Sequence, residues 1–197
     1  AIEDAPERAS DGLFYKINED VPFTGIITHV DIETGYEFLG RVKNGKKDGQ
    51  WVKWFPSGKE VPEIIIVDVP VPEPKKPWSG GKQEQGGYKE GKKHGQWTEW
   101  YDNEHIKSHG EYKLGTMVGH WTFYYTNGIK EKEGSLVDGN ADGLWVFYDD
   151  KSKKAQEGSF SKGTKEGQWT AWFEDGRLSE KTPSNFRIVS KATEPLT

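Results

Sequence analysis

The sequence predicts an all-β fold, an elongated single antiparallel meander of β-hairpin repeats. Three observations lead to it: a tryptophan that recurs with a fixed period, glycines in register with that tryptophan, and a composition rich in rings and glycine. The 197 residues include 9 Trp, 8 Tyr, 9 Phe and 24 Gly, whereas only 32% belong to the apolar set. This composition favours short strands and tight turns over helices packed on leucine.

An internal repeat of 24 residues underlies the tryptophan spacing. The intervals between the recurring tryptophans are 46, 24, 24 and 24 residues, and glycines stand two, six and eleven positions before each of them. The tryptophans are Trp51, Trp97, Trp121, Trp145 and Trp169. Counting one period back from Trp51 leads to Ile27, preceded by Gly25, which predicts a divergent first copy in "FTGIITHVDIETGYE". Columns aligned at a fixed period indicate a repeat protein in which each unit packs on its neighbours.

Each repeat corresponds to one β-hairpin. A short strand such as "GEYKLG" precedes the glycines, an aromatic strand such as "WTEWY" follows them, and a second turn such as "TNGI" closes the unit. In the copy "GKKHGQW" we expect Gly91 and Gly95 to form the bend and Trp97 to begin the aromatic strand. The three residues between the glycines are then expected to project at the turn.

Together with the preceding "GGYKE", this stretch has the form of a phosphate-binding loop, G-x-x-x-x-G-K-K, and "GRVKNGKK" from Gly40 to Lys47 has the same form. Such a loop requires a hydroxyl residue after the lysine and a helix whose N-terminus faces the anion. Here Lys47 and Lys93 occupy the hydroxyl position, and a strand pattern follows. We therefore interpret the motif as a repeat turn and predict no nucleotide site.

Five segments divide the chain. They are an N-terminal extension at 1–11, two repeats at 12–60, a proline-rich insert at 61–85, four repeats at 86–180 and a tail at 181–197. The insert is predicted because its prolines cannot donate to a regular strand ladder; they are Pro62, Pro70, Pro72, Pro74 and Pro77. The tail contains "FRIVS", which is expected either to cap the last edge as a strand or to stay outside the repeat array.

The repeated pattern G-x-[aromatic or aliphatic]-x-x-G-x-x-x-G-x-W-x-x-[WY]-[FY]-x-x-G resembles the MORN repeat, in the 24-residue bacterial variant of the YwqK-type antitoxin family. The resemblance extends over residues 12–180 apart from the insert. It implies a MORN-type repeat array that acts as a non-catalytic scaffold and binds proteins or, in some cases, phosphoinositide lipids. For the YwqK-type family it implies neutralisation of a toxin by binding.

The aromatic strands place rings on both sides of the expected sheet, because successive side chains of a strand alternate. The rings on the side away from the repeated tryptophan are Trp54, Trp100, Tyr124, Tyr148 and Trp172. We expect them either to stack as part of the array or to line a groove for a partner peptide or a glycan. A third alternative is that the open edge of the array adds a strand from a partner.

Lysine pairs at the turns are candidates for contact with acidic surfaces or lipid headgroups. These residues are Lys46, Lys47, Lys92 and Lys93, with Lys75 and Lys76 nearby in the insert. The formal net charge of −5 gives the whole chain no general attraction to nucleic acid, so we predict no nucleic-acid partner.

No catalytic, cofactor or metal motif stands out. The chain has no Cys, which excludes disulfides, thiolate metal sites and a cysteine nucleophile. The sequence carries no G-x-S-x-G, no H-E-x-x-H and no dinucleotide fingerprint. Four histidines lie close together in sequence and are expected to be solvated turn and edge residues: His94, His105, His109 and His120. We predict no enzyme activity, no cofactor and no metal.

The predicted function is that of a non-enzymatic binding module, most simply a scaffold for another protein, with toxin neutralisation as the form that the resemblance implies. The alternative is an exported surface or periplasmic module that binds glycan or lipid headgroups. The first residue is Ala rather than Met, so we expect a processed N-terminus, and export is slightly favoured over the cytoplasm. No run of 18 apolar residues occurs, and the sequence predicts no transmembrane helix.

Overall fold

The computed structural model describes residues 7–8, 11, 13–15, 20–30, 37–56 and 81–183. All regular elements in these ranges are strands. The strands are β1 (Glu7–Arg8), β2 (Phe14–Tyr15), β3 (Gly25–Val30), β4 (Glu37–Lys43), β5 (Lys46–Trp54), β6 (Lys82–Lys89), β7 (Lys92–Trp100), β8 (Ile106–Lys113), β9 (Thr116–Tyr124), β10 (Lys130–Val137), β11 (Asn140–Tyr148), β12 (Lys154–Ser161), β13 (Thr164–Trp172) and β14 (Leu178–Pro183).

Strands β3 to β14 form one antiparallel sheet of 12 strands, in which every strand pairs with its neighbours in sequence. The single antiparallel meander predicted from the repeat is therefore confirmed. The divergent first copy also fits the register, because Ile27 faces Gly40, which in turn faces Trp51. Strands β1 and β2 form a separate two-stranded pair.

The sheet continues across the proline-rich insert. Strand β6 begins at Lys82, within the range predicted as insert, and pairs with β5 so that Gly86 faces Trp51. Residues 57–80, with Lys75, Lys76 and the insert prolines, lie outside the described residues, as does the predicted capping segment "FRIVS". The division of the chain into segments stays a prediction.

Two kinds of turn alternate along the sheet. The tight turns have two residues, and both have positive φ, as at Glu90 (52°) and Gly91 (80°); this is the hairpin turn whose twist matches that of the strands. The wide turns connect the aromatic strands to the next repeat, and Gly128 and Gly176 supply positive φ there. All tight turns therefore join the strands at one end, which we call the tight-turn edge, and all wide turns join them at the other end, the wide-turn edge.

The prediction for "GKKHGQW" was wrong in its details. Gly91 lies in the tight turn, but Gly95 lies inside β7, where its φ of 79° accompanies a shift in register opposite Gly86 and Gly87. Two extra residues of β7, Gly95 and Gln96, lie between these pairs and make a β-bulge, for which glycine is suited because it reaches positive φ without steric cost. Trp97 consequently lies in the middle of β7 rather than at its start.

The repeated tryptophan packs beside the bulge on the third glycine column, which stands eleven positions before it in sequence. The Trp97 ring lies directly on Gly86, where a Cβ would overlap the indole. Its Nε1 donates to the carbonyl oxygen of Gly87 at 2.8 Å, and the other four repeated tryptophans donate in the same way to the residue ten positions earlier. All five are at most 5% exposed. We call this side of the sheet the tryptophan face.

Rings from successive repeats stack along the tryptophan face, as the alternation of side chains predicts. Tyr88 packs edge-on between Trp51 and Trp97, with centroid distances of 5.9 and 5.1 Å. Tyr112 occupies the same place between Trp97 and Trp121, at 6.0 and 5.2 Å. The contacts continue through Phe123, Trp145, Phe147, Phe160 and Trp169. Edge-to-face contacts of this kind stabilise the array beyond the area that they bury.

Candidate functional site

A second line of rings lies on the side opposite the tryptophan face, close to the wide turns. Four of the five rings predicted there are partly exposed, and we call them the ring row: Trp100, Tyr124, Tyr148 and Trp172. Trp54 differs, since it is 1% exposed, and it presents no ring surface to a partner. Among the described residues no ring contact joins two members of the ring row.

The ring row alternates with cationic and aliphatic side chains from the neighbouring strands. The residues directly opposite its members across the ladder are Ile106, Lys130, Lys154 and Leu178. Ile106 is 38% exposed and Leu178 is 49% exposed. The ammonium group of Lys130 lies 5.6 Å from the ring centroid of Tyr148, and that of Lys154 lies 5.9 Å from that of Trp172. The result is a mixed apolar and cationic strip across the sheet.

A carboxylate holds the middle of this strip. Glu133 accepts hydrogen bonds from the Tyr148 hydroxyl at 2.7 Å and from Lys130 Nζ at 2.8 Å, and His120 Nε2 lies 3.5 Å away. The hydrogen bond from Lys130 lowers the pKa of Glu133, against the effect of burial, and the Tyr148 hydroxyl adds to it. Burial and the bond to Glu133 raise the pKa of Tyr148 to about 12. Tyr148 is thus fixed in place with its ring still partly exposed.

The wide turns beneath the ring row are tied to one another. The Tyr101 hydroxyl donates to the Tyr124 carbonyl oxygen at 2.7 Å, and the Tyr125 hydroxyl donates to the Tyr148 carbonyl oxygen at 2.9 Å. Asn103 Nδ2 also donates to the Thr126 carbonyl oxygen at 2.6 Å. These bonds cross from one repeat to the next and hold the backbone of the row at a fixed spacing.

A cleft of about 390 Å³ opens beside Trp100 at the wide-turn edge. Its lining is mostly polar and charged: Lys53, Phe55, Gln83, Glu84, Glu99, Trp100, Tyr101, Asp102 and Lys107. The Oε1 atom of Gln83 is buried and has no hydrogen-bond partner among the described residues. The cleft therefore offers a ring and charges of both signs.

The four predicted lysines separate onto the two sides of the sheet, because neighbouring residues of a strand alternate. Lys47 and Lys93 extend over the tryptophan face, with ammonium groups 4.2 Å from the ring centroid of Trp51 and 4.0 Å from that of Trp97. Lys46 and Lys92 are exposed at the tight turns. The expectation that all the lysines project at the turn was wrong for the first pair.

Lys93 is bound by carboxylates of its own sheet. Its Nζ lies 2.8 Å from Glu84 Oε2 and 3.5 Å from Glu99 Oε1. Burial opposes its charge, but the hydrogen bond to Glu84 and the nearby acidic charges outweigh that effect and raise the pKa of Lys93. This lysine is consequently part of the packing over Trp97 rather than a free anion contact.

The histidines are distributed over separate strands and turns. His109 stacks on Tyr124 of the ring row at 5.9 Å, whereas His105 Nδ1 lies 2.7 Å from the Thr126 carbonyl oxygen at a wide turn. Within the described part of the chain, no three His, Asp or Glu side chains come together as ligands for a metal ion.

These features define a β-hairpin repeat protein. The family model of the MORN repeat variant matches residues 93–114 and 117–138, which are two successive copies of the unit. MORN repeats are generally non-enzymatic modules that often bind proteins or membrane lipids. A search of curated proteins finds no match. The described part of the chain holds no helix that is long and apolar enough to cross a bilayer.

Sequence reasoning missed the residues that stand between the rings. Ile106, Lys130, Lys154 and Leu178 are themselves 24 residues apart, so the period that revealed the tryptophans marks them as well. Their strand is the short one that opens each repeat, and its exposed end falls just after a wide turn. A signal was therefore present, but only strand pairing shows that these positions lie beside the ring row.

Proposed function

We propose that the chain is a non-catalytic module that binds another protein through the ring row. The observation that carries this proposal is the difference between the two sides of the sheet. On the tryptophan face the rings are packed against one another, whereas the ring row keeps four rings partly exposed and unstacked on each other. Rings of this kind provide a large contact area at low cost in conformational entropy.

The chemistry of the strip favours a protein partner. Rings alternate with the aliphatic side chains of Ile106 and Leu178 and with the cations of Lys130 and Lys154, and aromatic residues are enriched at protein interfaces. The backbone beneath is tied between repeats, so little ordering is required on binding. Neutralisation of a toxin is the specific form that the family resemblance implies.

Glycan binding is the second candidate function, and the cleft beside Trp100 supports it. A sugar ring stacks on an exposed aromatic face while amide and carboxylate oxygens accept hydrogen bonds from its hydroxyl groups. Gln83, Glu84 and Glu99 line the cleft and carry such groups.

Site-specific photo-crosslinking tests the protein-binding proposal. The crosslinking amino acid p-benzoylphenylalanine is placed at Tyr124 or Tyr148 in cells that make the protein, and at the exposed Val137 as a control outside the strip. We expect a discrete conjugate from both row positions and none from Val137, with the partner identified by mass spectrometry. Equal conjugates from all three positions would contradict the proposal, since no surface would then be distinguished.

Binding of the purified partner provides the quantitative check. Changing Trp172 to Ala removes a partly exposed ring, and we expect it to weaken binding by roughly tenfold or more, as is usual for an aromatic anchor. Its melting temperature should stay close to that of the wild type. Unchanged affinity together with binding of an oligosaccharide panel that depends on Trp100 would favour the glycan candidate instead.

A further inference from the structure

Five consecutive strands end in exposed lysines at the tight-turn edge of the sheet. Strands β4 to β8 each contribute one, and we call this set the lysine row: Lys43, Lys46, Lys89, Lys92 and Lys113. Neighbouring strands lie roughly 4.8 Å apart, so the row extends over about 19 Å. The side chains form a line one residue wide at the edge of a single layer.

The pairing of the strands places like charges directly opposite one another. Lys43 faces Lys46, and Lys89 faces Lys92. The turns then stack, because a Cβ built on Gly91 would lie 3.9 Å from the Lys46 Cβ, which brings the first pair beside the second. Like charges opposite each other in a ladder are destabilising, so the fold gains nothing from this arrangement.

The positive charges of the lysine row are not balanced by ion pairs. Within the described ranges none of its five lysines forms an ion pair, and Glu90 is the only acidic residue in its three turns. Three lysines elsewhere in the sheet differ, since Lys93, Lys130 and Lys154 each bind a carboxylate.

The tight turn itself does not require lysine. The strand ends at the same edge of β9 to β13 carry uncharged residues: Thr116, Val137, Asn140, Ser161 and Thr164. The backbone is equivalent in both halves, since Gly91 donates to the Lys47 carbonyl oxygen at 2.9 Å and Gly163 donates to the Ala141 carbonyl oxygen at 2.8 Å. The lysine row is therefore a local addition to a turn that forms equally well without it.

We propose that the lysine row binds an extended acidic segment of a partner protein. This inference rests on the proposed protein-binding function and places a second contact at a different surface. An extended segment of about six residues spans the length of the row at roughly 3.3 Å per residue. A narrow line of positive charge fits such a segment. A nucleic acid or an anionic membrane is exposed to the field of the whole molecule, and the net charge of −5 opposes its approach.

Fluorescence polarisation with a fluorescein-labelled octaglutamate peptide tests the inference on the whole chain. We expect saturable binding that weakens steeply with salt. Replacing Lys46, Lys89 and Lys92 with Gln should lower the affinity by roughly tenfold, because three of five contacts are lost. The control changes Lys151, Lys153 and Lys162 to Gln, which alters the net charge equally but leaves the row intact, and its affinity should stay within about twofold of the wild type.

A gain-of-function variant extends the row in the uncharged half. Changing Thr116 and Val137 to Lys adds two strand ends, and we expect the peptide to bind several-fold more tightly. Equal losses in the three-lysine variant and its control would overturn the inference. Tighter binding to vesicles containing phosphatidylserine or to an oligothymidylate than to the peptide would also overturn it. Because Tyr124 and Tyr148 are far from the row in the ladder, failure of the photo-crosslinking experiment would leave the peptide result unaffected.

Discussion

The two sides of the same sheet use aromatic residues in opposite ways. On the tryptophan face each indole lies on a glycine, donates its N–H to a backbone oxygen and packs against other aromatic rings. On the other side the rings of the ring row are separated by Lys, Ile or Leu side chains and keep part of their surface in solvent.

This difference shows that ring periodicity alone does not identify a binding surface. Both sets of rings recur every 24 residues, but the repeated tryptophans face glycines across the ladder, whereas the ring row faces Ile, Lys or Leu. Glycine opposite a ring removes the side chain that would otherwise fill that space, so the ring is buried in the fold itself. A periodic ring without such a glycine is the better candidate for contact with a partner.

The largest expected effect comes from removing a ring of the tryptophan face. Trp121 is 1% exposed, and changing it to Ala should lower the free energy of unfolding by about 3–5 kcal/mol. Tyr124, three residues further along the same strand, is partly exposed, and its change to Ala should cost less than half as much. Chemical denaturation of both variants measures the ratio, and equal losses would contradict the distinction between the two sides.

The glycines beneath the tryptophan rings should be nearly as sensitive to substitution. A Cβ at Gly134 would overlap the Trp145 ring, and the change to Ala is expected to cost about 3 kcal/mol. Gly143 is the matched control in the next strand, since nothing lies within 4 Å of its Cβ position and only its φ of 81° opposes Ala. Its change to Ala should cost about 1 kcal/mol. If thermal melts ranked the two in the reverse order, backbone strain rather than ring packing would account for the glycine columns.

The ties between the wide turns should contribute less. Changing Tyr101 to Phe removes the hydroxyl that donates to the Tyr124 carbonyl oxygen, and the expected loss is about 1 kcal/mol. The hydroxyl of Tyr112 forms no hydrogen bond among the described residues, so Tyr112 to Phe is the control and should be almost neutral. Urea denaturation of the two variants provides the comparison.

The smallest expected effect depends on pH. The pKa of Glu133 is lowered from 4.5, so the stability that it contributes is fully present above about pH 4.5. That contribution is lost as the pH falls through the lowered pKa of the folded state. Changing Glu133 to Gln should therefore cost under about 1 kcal/mol at pH 7, and the difference from the wild type should disappear in more acidic solution. Melting temperatures across the acidic range measure this; a difference that persists there would show that the charge of Glu133 is not involved.

Much of the fold was predictable because the same residue types recur at a fixed period in the sequence. The spacing of Trp97, Trp121 and Trp145 indicated the unit, and the glycines indicated its turns. The position of Gly95 in a bulge was not predictable, since a glycine in a bulge and a glycine in a turn both need positive φ and look alike in sequence. Only the register of the two strands distinguishes them.

The candidate site was less accessible to sequence reasoning. Alternation correctly assigned Trp100 and Trp172 to the side away from the tryptophan face, but it did not show that Trp54 is buried while they are partly exposed. It also treated Lys92 and Lys93 as equivalent, although one is exposed and the other is bound to Glu84. Burial depends on which strands lie alongside, and that information lies in the pairing rather than in the local pattern.

Hydroxyl-radical footprinting with mass spectrometry, before and after addition of the partner found by crosslinking, tests the central claim most directly. In the free protein Trp100, Tyr124, Tyr148 and Trp172 should be modified well before the five tryptophans of the tryptophan face. The partner should then protect the ring row and leave the tryptophan face unchanged. Equal modification of both sets in the free protein, or protection confined to residues outside the ring row, would contradict the account.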